Sequence, residues 1–487
     1  MTKAETAHNE LPLGWKWAQI GEILQPSADR IDPSKASGIT YIGLEHIEKN
    51  TGRILGQGYS DDVKSLKSRF SEGDLLYGKL RPYLNKVWVA EFDGLCSTDI
   101  LVFRDNKFIL NKYLKYRFLQ EDFVKYANQN ASGVQHPRVD FKKLANFKIT
   151  IAPLPEQHRI VARIEELFSR LDAGVEALRR ARTQLQRYRQ SVLQAAVEGR
   201  LTAEWREAHP EVEPAEKLLE QILKRKKKIE SFRLNAESPF DIPRDWAWTE
   251  LGLILSKIEA GKNFRCVERS PSLSEVGVVK VSAVSWGEFD ETQSKTCNDP
   301  SRINANYFIK ENDFLFSRAN TIDLVGACVI VENVNHQLML SDKILRFSFI
   351  EVPSQWILYV LRSRHGRNEI ESLATGNQES MRNIGQDRIK RIKVPIPPKS
   401  EISEIIKAIR YFLSIASTIE KSIECNLKIG IQLRQSILQR AFQGRLVPQD
   451  PSDEPASLLL ERIRAERINE APRRGRKSKA QQARLLQ

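Results

Sequence analysis

Apolar residues recur in steps of four and three along two stretches of this chain. From Ile160 the steps land on Ile164, Leu167, Leu171, Gly174, Leu178, Ala181, Leu185, Tyr188, Val192 and Ala195. The same walk 245 residues later meets Ile405, Ile409, Phe412, Ala416, Ile419, Ile423, Asn426, Gly430, Leu433, Ile437 and Arg440. A 3.5-residue repeat held over about five heptads predicts two long helices whose apolar seams coil against other helices. Pro155 and Pro398 mark the starts, and Gly199 and Gly444 suit the stops. About forty residues at 1.5 Å each make a rod of roughly 60 Å. Ahead of each helix the pattern changes to short β-branched runs at 95–103, 147–154, 276–284 and 343–350, separated by Gly, Pro, Asn and Asp. These predict strands, with helical pieces such as the stretch after Leu110 among them, hence an α+β domain present twice.

The chain is also written twice. Leu11-Pro12-Leu13-Gly14-Trp15-Lys16-Trp17 is echoed by Ile242-Pro243-Arg244-Asp245-Trp246-Ala247-Trp248, and residues 189–201 share nine of thirteen identities with 434–446. The offset grows from 231 at the tryptophans to 245 at the later segments, so the second copy gained fourteen residues in its interior. The shared frame carries divergent contents. It divides into a variable domain (1–155), a long helix (156–199), a basic connector with a short helix (200–240), a second variable domain (241–398), a second long helix (399–444), and a short helix with a basic tail (445–487). Antiparallel packing of the two helices, with the domains at opposite ends and a pseudo-two-fold axis between them, buries both seams economically. A coiled coil between two copies would bury them equally.

Composition narrows the partner. At 487 residues the chain exceeds one ordinary domain, and 41% hydrophobic residues sustain real cores. The net charge of +14 favours a polyanion, nucleic acid before a membrane surface, although excess charge also keeps proteins soluble. No run of about 18 apolar residues offers a membrane span, and the first residues lack the apolar core of a signal peptide. Cys96, Cys266, Cys297, Cys328 and Cys425 form neither a disulfide framework nor a zinc pattern, which fits a reducing cytoplasm.

Catalytic signatures are missing. There is no Asn/Asp-Pro-Pro-aromatic motif, no G-x-G-x-x-G, and no metal spacing among the seven histidines. Gly73 to Lys79 matches the Gly-x4-Gly-Lys spacing of a phosphate loop, but Leu80 replaces the Ser/Thr that would hold magnesium. Base reading instead calls for side chains with paired donors and acceptors on loops. The candidates are Lys79, Arg81, Tyr83, Asn85 and Lys86, then Gln135, His136 and Arg138 in the first domain. In the second they are Arg318, Asn320, Asn377, Gln378 and Arg382. Asp74 and Leu76 align with Asp313 and Leu315, which makes the Arg81 and Arg318 loops equivalent elements. Trp15, Trp17, Trp246 and Trp248 read as core aromatics, while Lys224–Lys228 and Arg473–Lys479 would touch phosphates without sequence preference.

The layout resembles the specificity subunit of type I restriction-modification systems. The resemblance rests on the Leu-Pro-x-x-Trp opening at Leu11 and its Ile242 echo, the Leu154-Pro155-Glu156-Gln157 helix entry, and the Arg-Gln-Ser-[Val/Ile]-Leu-Gln exits at Arg189 and Arg434. The second entry, Pro397-Pro398-Lys399-Ser400-Glu401, departs from the pattern. The resemblance implies two target-recognition domains reading one half each of a bipartite double-stranded DNA site, with the helices as spacers. It implies two modification (adenine methyltransferase) subunits on the spine, plus restriction subunits that translocate and cleave DNA. S-adenosylmethionine, ATP and magnesium would then sit on those partners, and this chain would do no chemistry. The alternative is a non-catalytic coiled-coil scaffold that binds DNA without reading it.

Overall fold

The computed structural model describes residues 11–35, 37–226, 238–263, 265–378 and 381–468. The basic tail Arg473–Lys479 and Lys227 and Lys228 lie outside the described residues. Among the elements of the first half, those that frame the site are strands β1 (Lys16–Gln19), β2 (Leu75–Gly78) and β3 (Lys148–Ile151) and helix α1 (Leu154–Val197), with further short strands and helices between them. A short helix α2 (Ala215–Arg225) leads to β4 (Ala247–Glu250), β5 (Phe314–Ser317) and β6 (Ala319–Asn320). Then come β7 (Thr375–Gln378), β8 (Met381–Asn383), β9 (Lys393–Ile396) and helix α3 (Lys399–Phe442). Both long helices are continuous over 44 residues. Gly199 and Gly444 close them in the left-handed conformation, at φ 73° and 68°, where glycine meets no Cβ penalty.

Contacts divide the chain into two units. Unit 1 comprises residues 1–178 and 424–487, and unit 2 residues 179–423. The linear layout is therefore not the spatial one: each long helix is shared between units, and the C-terminal segment belongs with the N-terminal domain. In unit 1, β1 pairs antiparallel with β3. Its main core joins Trp15, Tyr113, Ile160, Ile164 and Phe168 to Leu438, Ala441 and Phe442 from the end of α3. Ala456 and Leu460, in the helical stretch 456–468, complete that core, and Ala456 N donates to Gly14 O at 2.8 Å. Asp172 pairs with Arg434, while a methyl on Gly430 would lie 3.2 Å from Val175 Cγ2, so glycine there permits close antiparallel approach. Gly174 has open space instead.

Unit 2 repeats the plan. β4 pairs antiparallel with β9, and Leu193, Ala196 and Val197 of α1 pack with Ile402, Ile405 and Ile409 of α3. Ala215 N, at the head of α2, donates to Asp245 O at 2.9 Å, as Ala456 does to Gly14. Each unit also holds a smaller second core, around Ile42, Phe70 and Trp88 in unit 1 and Val279, Leu315 and Val329 in unit 2.

Of the predicted seam positions, Ile160, Ile164, Leu185, Val192, Ile405, Ile409 and Ile423 are buried. Leu167, Leu171, Leu178, Phe412 and Ile437 are half-buried. Ile419 and Leu433 correct the reading: they are 44% and 46% exposed. Ile423 and Gly430, further along the same count, are buried, but beyond them the stripe shifts by one position to Leu438 and Ala441, as a straight α-helix drifting by about 20° per heptad from a strict 3.5 repeat does. All five cysteines are free, and no described helix is long and apolar enough to cross a membrane.

Candidate nucleic-acid interface

In unit 1 the site grows from the end of β2, the central strand of an antiparallel three-stranded sheet. Strand pairing on both sides makes the Gly73–Lys79 stretch a buried sheet element rather than a phosphate cradle. Beyond Gly78 the chain turns through Arg81 and Asn85, both left-handed at φ 52° and 42°. A second loop, 132–138, comes alongside. Val139 N donates to Lys79 O at 3.0 Å, Arg81 N to Pro137 O at 2.7 Å, and Leu80 forms a bridge with Arg138. Two candidate clusters some fifty residues apart in sequence thus become one surface.

Within it the side chains separate by role. Arg81, Tyr83, Gln135, His136 and Arg138 are exposed, and Lys79 is half-exposed. The Arg81 guanidinium lies 3.4 Å from His136 Nδ1. Arg138 is held by Asp99 through two bonds of 3.1 and 3.2 Å, which raise its pKa. Asn85 is fully buried and donates to Phe118 O at 3.0 Å, and Lys86 reaches Leu44 O, with burial lowering its pKa. These last two shape the loop from behind. Asp99 escaped the sequence reading because an acidic residue gives no sign of binding a polyanion; its role is to orient Arg138.

Unit 2 builds the same frame. Asp313 and Asn312 repeat the turn of Asp74 and Gly73: Lys310 N binds the Asp313 carboxylate at 2.9 Å, as Ser71 N binds Asp74. Arg318 N then donates to Lys343 O and Ile384 N to Arg318 O, both at 2.9 Å, as Lys79 bonds Asp99 and Val139. Arg318 therefore stands where Lys79 stands, and Asn320 where Arg81 does. β6 pairs with β8, placing Asn320 opposite Arg382, and β8 pairs with β7, placing Gln378 opposite Met381. Asn377 belongs to β7, while its side chain lies outside the described residues. The Arg382 Nε is buried with no partner among the described residues, and Gln378 is exposed.

The tryptophans divide. Trp15 and Trp246 are buried and donate to Glu156 and Glu401 at 2.9 and 2.8 Å. Trp248 is covered by Phe240 and His365, ring centroids 5.0 and 5.1 Å away. Trp17 is 50% exposed, which corrects its reading as core. No group of three or more His, Cys, Asp or Glu among the described residues could hold a metal.

Two α+β units with one loop frame and different loop contents, joined by shared helices, define a duplicated recognition protein. Residues 12–177 match the family model described as the type I restriction modification DNA specificity domain. The chain is 23% identical over 501 residues to the specificity subunit of the type I restriction enzyme EcoEI from Escherichia coli, covering 89% of this chain and 83% of that one. It is 27% identical over 409 residues to the EcoKI specificity subunit of E. coli strain K12, covering 80% and 78%, respectively. The EcoDI specificity subunit of E. coli is 33% identical over 218 residues, which is 44% of this chain and 49% of that one. A chain from a solved structure concerning assembly and conformational transition of the type I restriction-modification system shares the fold, with a TM-score of 0.65 at 19% identity over 90% of this chain and 99% of that one. The chain is thus similar over most of its length to specificity subunits of type I restriction enzymes, and its residues 12–177 match their DNA specificity domain.

Proposed function

We propose that this chain supplies DNA-sequence recognition to a type I restriction-modification complex, with unit 1 reading one half of a bipartite site and unit 2 the other. The single observation that carries this is the repeated loop frame with substituted contents. The loops that carry Lys79, Arg81, Gln135 and Arg138 in unit 1 carry Arg318, Asn320, Gln378 and Arg382 in unit 2, with Asn383 where Arg138 stands. A constant backbone presenting different donors and acceptors is what reading two different half-sequences requires.

Modification and restriction subunits are the proposed protein partners, and S-adenosylmethionine, ATP and magnesium belong to them. Docking of the modification subunit is supported by Tyr411, Ile415 and Ile419, which form an i, i+4, i+8 apolar stripe exposed on α3 in unit 2. The test is methylome sequencing of cells that carry this chain with its modification subunit. A split motif with two fixed halves and an unread spacer is expected. Methylation without a motif, or methyl transfer or ATP hydrolysis by the isolated chain, would overturn the reading in favour of a scaffold or an enzyme.

A further inference from the structure

Unit 2 contains a cavity of about 290 Å³ whose counterpart in unit 1 is plugged. Its wall includes Arg189, Trp286, Tyr359, Arg362, Arg367 and Leu413. The match between the units is fixed by two bonds. Trp356 Nε1 donates to Pro395 O at 2.9 Å, as Tyr113 OH donates to Thr150 O at 3.0 Å. Tyr359 thus corresponds to Tyr116, Arg362 to Leu119 and Arg367 to Val124, while the helix offset of 245 sets Leu413 against Phe168 and Ser417 against Asp172. In unit 1 the Phe168 ring fills the space, 5.7 Å from Tyr116 and under the Arg434 guanidinium at 4.6 Å. Asp172 there pairs with both Arg434 and Arg53. Unit 2 has lost the aromatic plug and that carboxylate, and has gained two arginines.

Those arginines are held in place by backbone. Arg362 donates to Cys328 O at 2.8 Å and Gly287 O at 2.6 Å, and has no carboxylate partner among the described residues. Arg367 donates to Val325 O and Ile322 O, binds Glu371 at 2.7 Å, and lies 4.6 Å from the Trp286 ring centroid. Arg189 bonds Ser417 Oγ at 3.1 Å and Glu420 at 2.8 Å. Three guanidinium groups against two carboxylates leave a net positive pocket; carbonyl contacts hold the Arg362 Nε and Nη2 edge in place and leave its Nη1 donors to an oxyanion. Leu193, Leu413 and the Tyr359 ring supply an apolar wall beside that charge. The volume sits at the lower edge of small-molecule sites, about 300 Å³.

We propose that this cavity binds a phosphomonoester carried on a flat apolar body, the chemistry of a nucleoside monophosphate. It is a site of unit 2 alone, apart from the loops that carry the DNA-reading candidates. The test is calorimetric titration of the full chain with AMP, adenosine and inorganic phosphate. AMP is expected to bind once per chain, and adenosine and phosphate each at least tenfold more weakly, since each keeps half of the contacts. Leu413→Phe and Arg362→Leu, which copy Phe168 and Leu119 of unit 1, should each weaken AMP about tenfold or more. Circular dichroism checks that each variant folds, and either one alone decides. Absence of AMP binding to the parent chain, equal binding by a folded variant, or phosphate or adenosine binding as tightly as AMP would overturn the proposal.

Discussion

Trp15 donates its indole N–H to Glu156 Oε2 at 2.9 Å in the interior of unit 1. The corresponding pair in unit 2, Trp246 and Glu401, is built alike at 2.8 Å, but the second oxygen differs. Glu401 Oε1 takes Thr202 Oγ1 at 2.6 Å and the Arg206 guanidinium, whereas Glu156 Oε1 is buried without a partner among the described residues. Burial raises the pKa of Glu156, opposed by the Trp15 bond and Arg159. For an acid with a raised folded pKa, the stabilising contribution is complete below the unfolded value and is lost as pH rises through the folded one.

The same substitution should therefore act oppositely in the two units. Glu156→Gln keeps an acceptor for Trp15 and removes the desolvated charge, so it is expected to be neutral or stabilising at pH 7. Its advantage should shrink as pH falls toward the carboxylate range. Glu401→Gln takes the charge from a satisfied buried ion pair and should cost about 1–3 kcal/mol. Denaturation melts of both variants at pH 7 and pH 5 check this, and equal destabilisation by the two would refute it.

Recognition should be modular. Arg81→Ala or Gln135→Ala is expected to relax only one half-site, and Arg318→Ala or Gln378→Ala only the other, by about 1–3 kcal/mol per lost bidentate contact. Methylome motifs of cells carrying each variant decide it; one substitution altering both halves contradicts the two-reader model.

Asn85 should behave as scaffold. It is fully buried, left-handed at φ 42°, and bonded to Phe118 O. Asn85→Ala is expected to destabilise unit 1 by about 1–3 kcal/mol, through the lost bond and the backbone conformation that asparagine tolerates best. The recognised sequence should stay the same. A changed motif in a stably folded variant would make Asn85 a reader.

Partner docking can be separated from folding at Ile415 and Ile419, which are 38% and 44% exposed. Changing both to Asp should shift stability by no more than about 0.5 kcal/mol, as surface substitutions usually do. Co-purification of the modification subunit should nevertheless be lost. Retention of a normal complex would place the docking surface elsewhere.

The sequence by itself determined the duplication, both long helices and their glycine stops, and the loops on which the candidates lie, because periodicity and turn chemistry are local. It could not show that residues 424–468 fold with the N-terminal domain, since which surfaces bury one another depends on contacts hundreds of residues apart. Nor could it rank the candidates. Lys79, Arg81, Asn85 and Lys86 share one short loop, yet the left-handed turns at Arg81 and Asn85 send Asn85 inward to Phe118 and leave Arg81 beside His136. The exposed Ile419 and Leu433 were missed for a related reason: only packing decides which positions of a periodic apolar face are covered. The equivalence of Arg318 and Lys79 was already implied by aligning Asp74 with Asp313, but which strands flank them, and so which second loop lies alongside, was decided only by strand register.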